Sequence, residues 1–218
     1  MANKLKIDIV SDVVCPWCTI GYKRLEKAIS ELGIEDQIDI EWQPFELNPN
    51  MPAEGQNVIE HITEKYGSTL DQQRASQQHM ADAGEELGFK FDYFDEMRMV
   101  NTFDAHILLE YAKDFGKQTE LKMAFTKAFF SDRKDVSKKD VLKETLLSVG
   151  LNAEDALAKL DSEEARLEVR EKQDYWKELG VNSVPTIVFN RKSAVTGAQP
   201  VDTLKQVLSE LIAEQKSI

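Results

Sequence analysis

The N-terminal segment changes twice between the hydrophobic pattern of a strand and that of a helix. Residues 5–10 alternate apolar and polar side chains, which is typical of a strand. Apolar side chains then recur at helical spacing from Ile20 to Leu32, and Gly33 is a common type of helix end. Residues 38–43 alternate again. The pattern therefore predicts a β-α-β unit with parallel strands and a right-handed crossover.

The middle of the chain carries helical patterns and no strand alternation after a loop at 44–56. Asn57 and Glu60 resemble a helix-capping pair. An apolar stripe begins at Phe103 and ends at Phe115, so both aromatic rings are predicted to be core. Helices are predicted over 70–87, 103–115, 121–129, 137–149, 152–160 and 165–179.

Strand patterns return near the C-terminus. Residues 186–189 and 193–196 are predicted to be two strands joined by a short turn, which indicates a hairpin. An amphipathic helix follows from Val201. The chain is therefore predicted to be an α/β protein in which a large helical insertion separates a β-α-β half from a β-β-α half. The predicted parts are 1–56, 57–180 and 181–218.

The candidate chemistry lies at the start of the first predicted helix. Cys15 and Cys18 are the only cysteines among the 218 residues, and they enclose Pro16 and Trp17. A helix N-terminus offers unpaired N–H groups and partial positive charge, both of which stabilise a thiolate. In motifs of this kind the pKa of a thiol falls from ~8.5 to roughly 3.5–7.5. We expect Cys15 to be the exposed nucleophile and Cys18 to be the more buried resolving thiol.

Two other interpretations of the cysteine pair stay open. The first is half of a zinc site, but structural zinc takes four ligands, and His61, His79 and His106 are scattered along the chain. The second is an inert buried pair. Since two cysteines so close together add little stability by loop closure, redox chemistry is the favoured interpretation. No phosphate-binding loop or dinucleotide motif is present, so no metal, nucleotide or flavin is predicted.

The dipeptide Val184-Pro185 precedes a strand that should lie beside the first one. Proline donates no backbone N–H, so it fits the first position of a strand. A cis peptide bond at this point would be a selected feature, whereas a plain trans proline that begins a strand is the alternative.

Four segments resemble, in the same order, the FrnE-type group of DsbA-like oxidoreductases. They are Ser-Asp-Val-Val-Cys-Pro-Trp-Cys at 11–18, Asn-Thr-Phe-Asp-Ala-His at 101–106, Gly-Val-Asn-Ser-Val-Pro-Thr at 180–186 and Gly-Ala-Gln-Pro at 197–200. The likeness covers roughly residues 5 to 212. It implies a thioredoxin-like fold of the DsbA type and disulfide exchange at Cys15 and Cys18. It also implies that Pro185 is cis and faces Cys15, and that Val184 offers backbone hydrogen bonds to an extended substrate.

The same group is related to kappa-class glutathione transferases and 2-hydroxychromene-2-carboxylate isomerases, which use glutathione and usually carry serine where a thiol would be attacked. Two cysteines favour redox chemistry, with glutathione as an optional co-substrate. Isomerisation or conjugation of a small aromatic substrate is the alternative, and a non-catalytic binding protein is a third. Asn101, His106 and Gln199 are candidate substrate contacts alongside Pro16 and Trp17. For Asn101 and His106, a helix cap and a packed histidine are the competing interpretations.

Charge restricts the partners. The formal net charge is −12 and the sequence pI is about 4.8, so the surface should repel phosphate backbones and anionic lipid. We expect no nucleic-acid or membrane partner, and protein or small-molecule thiols and disulfides instead. The N-terminal residues show no signal-peptide pattern, which favours the cytoplasm. There the glutathione pool would favour reductase or isomerase activity. Monomer and dimer both stay open.

Overall fold

The computed structural model describes residues 4–216, with the elements in the predicted order. Within that range, no helix is both long and apolar enough to cross a bilayer. The elements are β1 (Leu5–Ser11), α1 (Pro16–Leu32), β2 (Ile38–Pro44), β3 (Gln56–Asn57), α2 (Val58–Tyr66), α3 (Leu70–Glu86), β4 (Arg98–Met99), α4 (Phe103–Lys113), α5 (Gln118–Phe130), α6 (Lys139–Ser148), α7 (Ala153–Ala158), α8 (Glu163–Glu178), β5 (Thr186–Phe189), β6 (Ser193–Thr196) and α9 (Val201–Lys216).

A four-stranded mixed sheet of order β2-β1-β5-β6 joins the two ends of the chain. Strand β1 pairs in parallel with β2, and Ile9 lies opposite Trp42. On its other side β1 pairs antiparallel with β5, where Ile9 lies opposite Ile187. The hairpin of β5 and β6 completes the sheet. The predicted β-α-β unit, the hairpin and the α/β class are therefore confirmed.

The two larger hydrophobic cores of the described residues both include side chains of α1. One lies between the sheet and helices α1 and α9, and contains Ile7, Leu25 and Leu204. The other fills the helical block, but Val14 and Ile20 from the sheet half pack into it. The cysteine turn therefore lies at the junction of the sheet half and the helical block. The exact part boundaries at 56 and 180 stay a prediction.

Two details of the helical block differ from the sequence-based expectation. Helix α4 ends at Lys113, and a turn through Gly116 with a φ of 65° follows. Phe115 is therefore 57% exposed and packs against Tyr111 at the surface, so the prediction that its ring belongs to the core is wrong. Helix α8 likewise ends before Leu179, whose side chain is exposed.

A short antiparallel bridge between β3 and β4 was absent from the expected pattern, because two residues cannot show alternation. Asn57 belongs to this bridge and also caps α2, since its Oδ1 accepts hydrogen bonds from the N–H groups of Ile59 and Glu60. The predicted cap at Asn57 is confirmed.

Candidate redox site

The turn between β1 and α1 holds both cysteines at the start of the helix. Cys15 is the N-cap residue and has extended backbone angles, and Pro16 occupies the first turn, where no N–H is required. The Sγ atom of Cys15 accepts a hydrogen bond from the backbone N–H of Cys18 at 3.2 Å. The two thiols are not bridged. A sulfur in this position receives the helix-terminal N–H groups that stabilise negative charge.

Cys15 is buried and contacts the loop before β5. Its side chain is only 4% exposed and that of Cys18 is 1% exposed, so the expectation of an exposed nucleophile is wrong, whereas burial of Cys18 is confirmed. The carbonyl oxygen of Val184 lies 4.0 Å from the Sγ of Cys15. The Val184–Pro185 peptide bond is cis, as the resemblance implies. The thiol and this carbonyl therefore face each other directly.

Helix α1 and the loop after β6 hold the cis-proline in place. A Cβ atom at Gly21 would lie 3.1 Å from the Cγ of Pro185, so only glycine gives the proline ring this much room. The carbonyl oxygen of Pro185 accepts a hydrogen bond from the N–H of Gly197 at 2.8 Å. Gln199 belongs to the same loop, but its Nε2 donates to the carbonyl of Thr196. Gln199 is therefore near the site and secures its own loop.

A carboxylate is buried behind the turn. The Oδ1 of Asp12 accepts from the N–H of Val13 at 2.7 Å, and its Oδ2 accepts from the N–H of Leu47 at 2.8 Å. The Nε2 of His106 lies 3.3 Å from Oδ1. Burial acts to raise the pKa of Asp12, but the hydrogen bond and charge of His106 and the N–H of Leu47 outweigh it. The pKa of Asp12 therefore lies below its usual value.

Lys122 of α5 brings a second buried charge to the cysteines. Its Nζ has no hydrogen-bond partner among the described residues and lies 5.1 Å above the ring of Trp42. Burial lowers the pKa of Lys122, while the negative charges of Cys18, Asp12 and Cys15 oppose that shift. Burial and the neighbouring Cys15 raise the pKa of Cys18, and Lys122 acts in the opposite direction. The ammonium group therefore favours the Cys18 thiolate.

His106 and Asn101 do not lie beside the sulfur atoms as cleft residues. The prediction of a cleft position is wrong for His106, because it is 2% exposed and its Nε2 is shared between Asp12 and the carbonyl of Phe45. The Oδ1 of Asn101 accepts from the N–H of Phe103, and its side chain borders a separate polar cavity. The packed-histidine interpretation describes His106. The side chain of Asn101 accepts the first N–H of α4, but the N-cap residue of this helix is Thr102.

Two aromatic residues, Trp17 and Tyr93, also lie near the cysteine turn. The indole of Trp17 is half-buried, with its ring 5.8 Å from that of His79, so the expected partial exposure is confirmed. Burial raises the pKa of Tyr93, and the charge of Cys15 raises it further. Among residues 4–216, no three histidine, cysteine, aspartate or glutamate side chains form a group that could hold a metal ion. The zinc interpretation therefore lacks ligands in the described part of the chain.

Three residues that interact with the cysteines or with the turn that holds them were not identified from the sequence. Asp12 stood inside the cysteine motif without a role, and Tyr93 carried no signal. Lys122 did carry one, because it lies between the apolar stripe positions Leu121 and Phe125 of α5, where a charge is unusual.

The Cys-Pro-Trp-Cys turn opens a helix and faces a cis-proline. A helical block separates the two parts of the chain that form the sheet. Together these features define the DsbA-like class of thioredoxin-fold proteins. The chain belongs to the family of the DSBA-like thioredoxin domain, whose model matches residues 6–209.

Known relatives agree with this assignment. The probable DsbA oxidoreductase SCO1869 from Streptomyces coelicolor is 32% identical, with a TM-score of 0.90 over 96% of this chain and 91% of its own. The uncharacterized protein YwbO of Bacillus subtilis (strain 168) is 27% identical over 96% of this chain and 97% of its own length. A 2-hydroxychromene-2-carboxylate isomerase shares the fold, at 13% identity and a TM-score of 0.71 over 97% of this chain and 98% of its own. The narrower FrnE-type grouping stays a prediction.

Proposed function

We propose that the protein catalyses thiol–disulfide exchange through Cys15 and Cys18. The observation that carries the proposal is the position of the Cys15 sulfur. It accepts the N–H of Cys18 at the start of α1 and faces the Val184 carbonyl beside the cis-proline. This position supplies hydrogen bonding for a thiolate on one side and a backbone acceptor for a substrate on the other.

In the reducing direction, the Cys15 thiolate attacks one sulfur of a substrate disulfide. A Cys15–substrate disulfide forms, and the substrate's other sulfur leaves as a thiolate that takes a proton from solvent. The Cys18 thiolate then attacks Cys15 and releases the second substrate thiol. The substrate gains two electrons, and the protein retains a Cys15–Cys18 disulfide that an external thiol such as glutathione must reduce. The oxidising direction is the reverse.

Because Cys15 is covered, the substrate must displace part of the cover. The contact between the Cys15 sulfur and the Val184 carbonyl is long, at 4.0 Å, and it involves a weak S–H donor. A substrate strand that donates an N–H to this carbonyl would replace the contact with a stronger hydrogen bond. Val184 therefore acts in this proposal as the residue that aligns the substrate backbone.

The second step needs a deprotonated Cys18, which burial opposes. The Lys122 ammonium lies near enough to oppose that effect, so we assign to it the role of a positioning charge for the resolving thiolate. It does not contact the substrate.

The favoured direction of disulfide exchange and the location of the protein are inferred from the redox conditions around it. We propose a reductase or isomerase in the cytoplasm with protein or small-molecule disulfides as substrates, because a glutathione pool keeps most dithiols reduced. The strongly acidic sequence supports partners other than nucleic acid or anionic membranes. Equilibration of the cysteine pair in glutathione buffers tests the direction. A potential near about −270 mV supports a reductant, and one near about −120 mV an oxidant.

The proposal is tested by insulin reduction followed by turbidity. We expect activity in the wild-type protein and none in Cys15→Ser, since serine cannot form the mixed disulfide. Absence of insulin reduction together with glutathione-dependent turnover of a chromene acid would replace the proposal with the isomerase alternative. Undiminished function after loss of both thiols would indicate a binding protein.

A further inference from the structure

Helix α1 carries a half-buried arginine, Arg24, whose hydrogen-bond partner lies near the other end of the chain. Its Nη1 donates a hydrogen bond to the carbonyl oxygen of Ala198 at 2.6 Å. Among residues 4–216, no carboxylate pairs with this guanidinium. A hydrogen bond from a charged donor is stronger than one between two neutral groups. Arg24 therefore fastens the loop at 197–200 to α1.

The same loop is bonded to the segment that contains the cis-proline. The N–H of Gly197 donates to the carbonyl oxygen of Pro185 at 2.8 Å. In the sheet, Thr196 at the end of β6 lies opposite Thr186 at the start of β5. Because Gly197 follows Thr196 and Pro185 precedes Thr186, the strand pairing and the hydrogen bond join the two segments side by side. A displacement of the loop would therefore displace Pro185.

Helix α1 contacts both segments one turn before Arg24. A Cβ atom at Gly21 would lie 3.1 Å from the Cγ of Pro185, and 3.5 Å and 3.6 Å from the Cα and Cβ of Ala198. Positions three apart on a helix share a face, so Gly21 and Arg24 meet the same part of the loop. Van der Waals contact at Gly21 limits how close the loop comes, whereas the hydrogen bond from Arg24 also depends on direction. The two contacts together fix the position of Ala198 on the helix.

The nucleophile is attached to the same helix. Cys15 is the N-cap residue of α1, and its sulfur lies 4.0 Å from the carbonyl oxygen of Val184, which precedes Pro185. Helix α1 thus holds the sulfur directly and holds the opposing carbonyl through Arg24 and the loop. Since both groups are referred to one helix, their separation depends on the Arg24 hydrogen bond.

We propose that Arg24 is a positioning residue for disulfide exchange. Through Ala198 and the cis-proline segment, it places the Val184 carbonyl where a substrate strand bound to Cys15 can donate a backbone N–H to it. This role rests on the exchange function proposed above. It is separate from stabilisation of the Cys15 thiolate, which the N–H of Cys18 supplies.

The experiment compares two disulfides reduced by the dithiol form of the full-length protein. One is a disulfide-bridged peptide, and the other is oxidised mercaptoethanol, which has no backbone N–H to align. We expect Arg24→Met to reduce the peptide about three- to tenfold more slowly, because the carbonyl that aligns the peptide is displaced. The rate with oxidised mercaptoethanol should stay within about twofold of the wild-type rate. Lys27→Met is the matched control, since it removes one positive charge from an exposed position of α1.

Three results separate positioning from a general structural role. The ratio of the two rates is unaffected by any loss of folded protein, so a merely structural role would leave the ratio unchanged. The pH profile of Cys15 alkylation should be the same in Arg24→Met and the wild-type protein, because the N–H of Cys18 remains. Arg24→Lys retains a charged donor for the Ala198 carbonyl and should restore the peptide rate to within about twofold. An equal loss with both disulfides, or the same rate ratio in Arg24→Met and Lys27→Met, would overturn the proposal.

Amide hydrogen exchange at Gly197 provides a measurement without turnover. Its N–H donates to Pro185, so we expect hydrogen exchange about tenfold faster in Arg24→Met than in Lys27→Met. Unchanged protection of Gly197 would show that Arg24 does not hold the loop. A wild-type protein that reduces neither disulfide would refute the exchange function, and the role of Arg24 in it. An active wild-type protein with an unaltered rate ratio in Arg24→Met would refute the role of Arg24 alone.

Discussion

Cys15 and Cys18 are three positions apart, but they lie in two different regions of the molecule. In the outer region, the sulfur of Cys15 contacts two backbone groups, the N–H of Cys18 and the carbonyl of Val184. In the inner region, Cys18 is buried, and two groups favour its thiolate, the charge of Lys122 and a hydrogen bond from the backbone of Asp12. The difference indicates that the nucleophile is prepared by the geometry of a helix start, while the resolving thiol also depends on the charge of Lys122 from the distant helix α5.

The largest expected effect comes from removing the two sulfurs separately. Cys15→Ser should abolish exchange, whereas Cys18→Ser should still attack and then accumulate a Cys15–substrate disulfide, because no thiol remains to resolve it. Mass spectrometry after mixing with a disulfide-bridged peptide detects the trapped species. If Cys15→Ser traps substrate and Cys18→Ser does not, the outer and inner roles are reversed.

A smaller effect is expected when the inner region loses its positive charge. In Lys122→Met, burial would raise the pKa of Cys18 without the opposing ammonium. Each pKa unit corresponds to a tenfold change in thiolate, so resolution of the mixed disulfide should slow about tenfold at neutral pH and recover at higher pH. The rate at which Cys15 is alkylated should change much less.

Stopped-flow measurement of the resolution rate against pH provides this test. Lys127→Met is the matched control, since Lys127 lies on the same helix but is exposed and pairs with Asp132. An identical pH profile in Lys122→Met and the wild-type protein would leave Lys122 without a role in the redox step. We also expect Lys122→Met to raise the free energy of unfolding by roughly 1–3 kcal/mol, because a buried unpaired polar group is removed.

Asp12 should contribute an acid-sensitive part of the stability. Its pKa is lower in the folded than in the unfolded protein, so the unfolded state binds the proton first as the pH falls. The contribution is therefore complete above the unfolded value of ~3.9 and is lost as the pH falls through the folded value. Asp12→Asn should lower the free energy of unfolding by about 1–3 kcal/mol at pH 6.

Urea unfolding at several pH values checks this expectation. The difference between the wild-type protein and Asp12→Asn should shrink as the pH falls from ~6 toward ~3. A difference that stays constant over this range would show that the hydrogen bonds of the side chain matter and its charge does not.

The contrast between the outer region around Cys15 and the inner region around Cys18 also explains which features could be predicted from the sequence. The outer region is encoded locally, since strand alternation, two cysteines, Pro16 and the helix end at Gly33 are all visible within one segment. The cis form of Pro185 was reached only through the resemblance to a family. The contact between Cys15 and Val184 could not be predicted, because Val184 lies 169 positions further along the chain.

The inner region depends on packing that no local pattern records. Lys122 approaches Cys18 because α5 packs under α1, and His106 reaches Asp12 from α4 across 94 positions. Sequence periodicity identifies each helix but not which of its residues meets a given thiol. A lysine beside a buried stripe and an aspartate within the cysteine motif were usable signals, but neither specifies its partner.

The smallest expected effect tests whether the outer region depends on close packing of the cis-proline. In Gly21→Ala, the new methyl group would lie 3.1 Å from Pro185, so the proline ring must move by a few tenths of an ångström. Alanine is favoured over glycine within a helix by about 1 kcal/mol, which offsets the crowding. We therefore expect little change in the free energy of unfolding but a roughly two- to threefold slower attack by Cys15, because the Val184 carbonyl moves with the ring. Ser30→Ala, at an exposed position of α1, is the control for an altered helix. Unchanged exchange rates in Gly21→Ala would mean that the surroundings of Cys15 tolerate displacement of the proline ring, and that the position of the Val184 carbonyl does not limit the attack by Cys15.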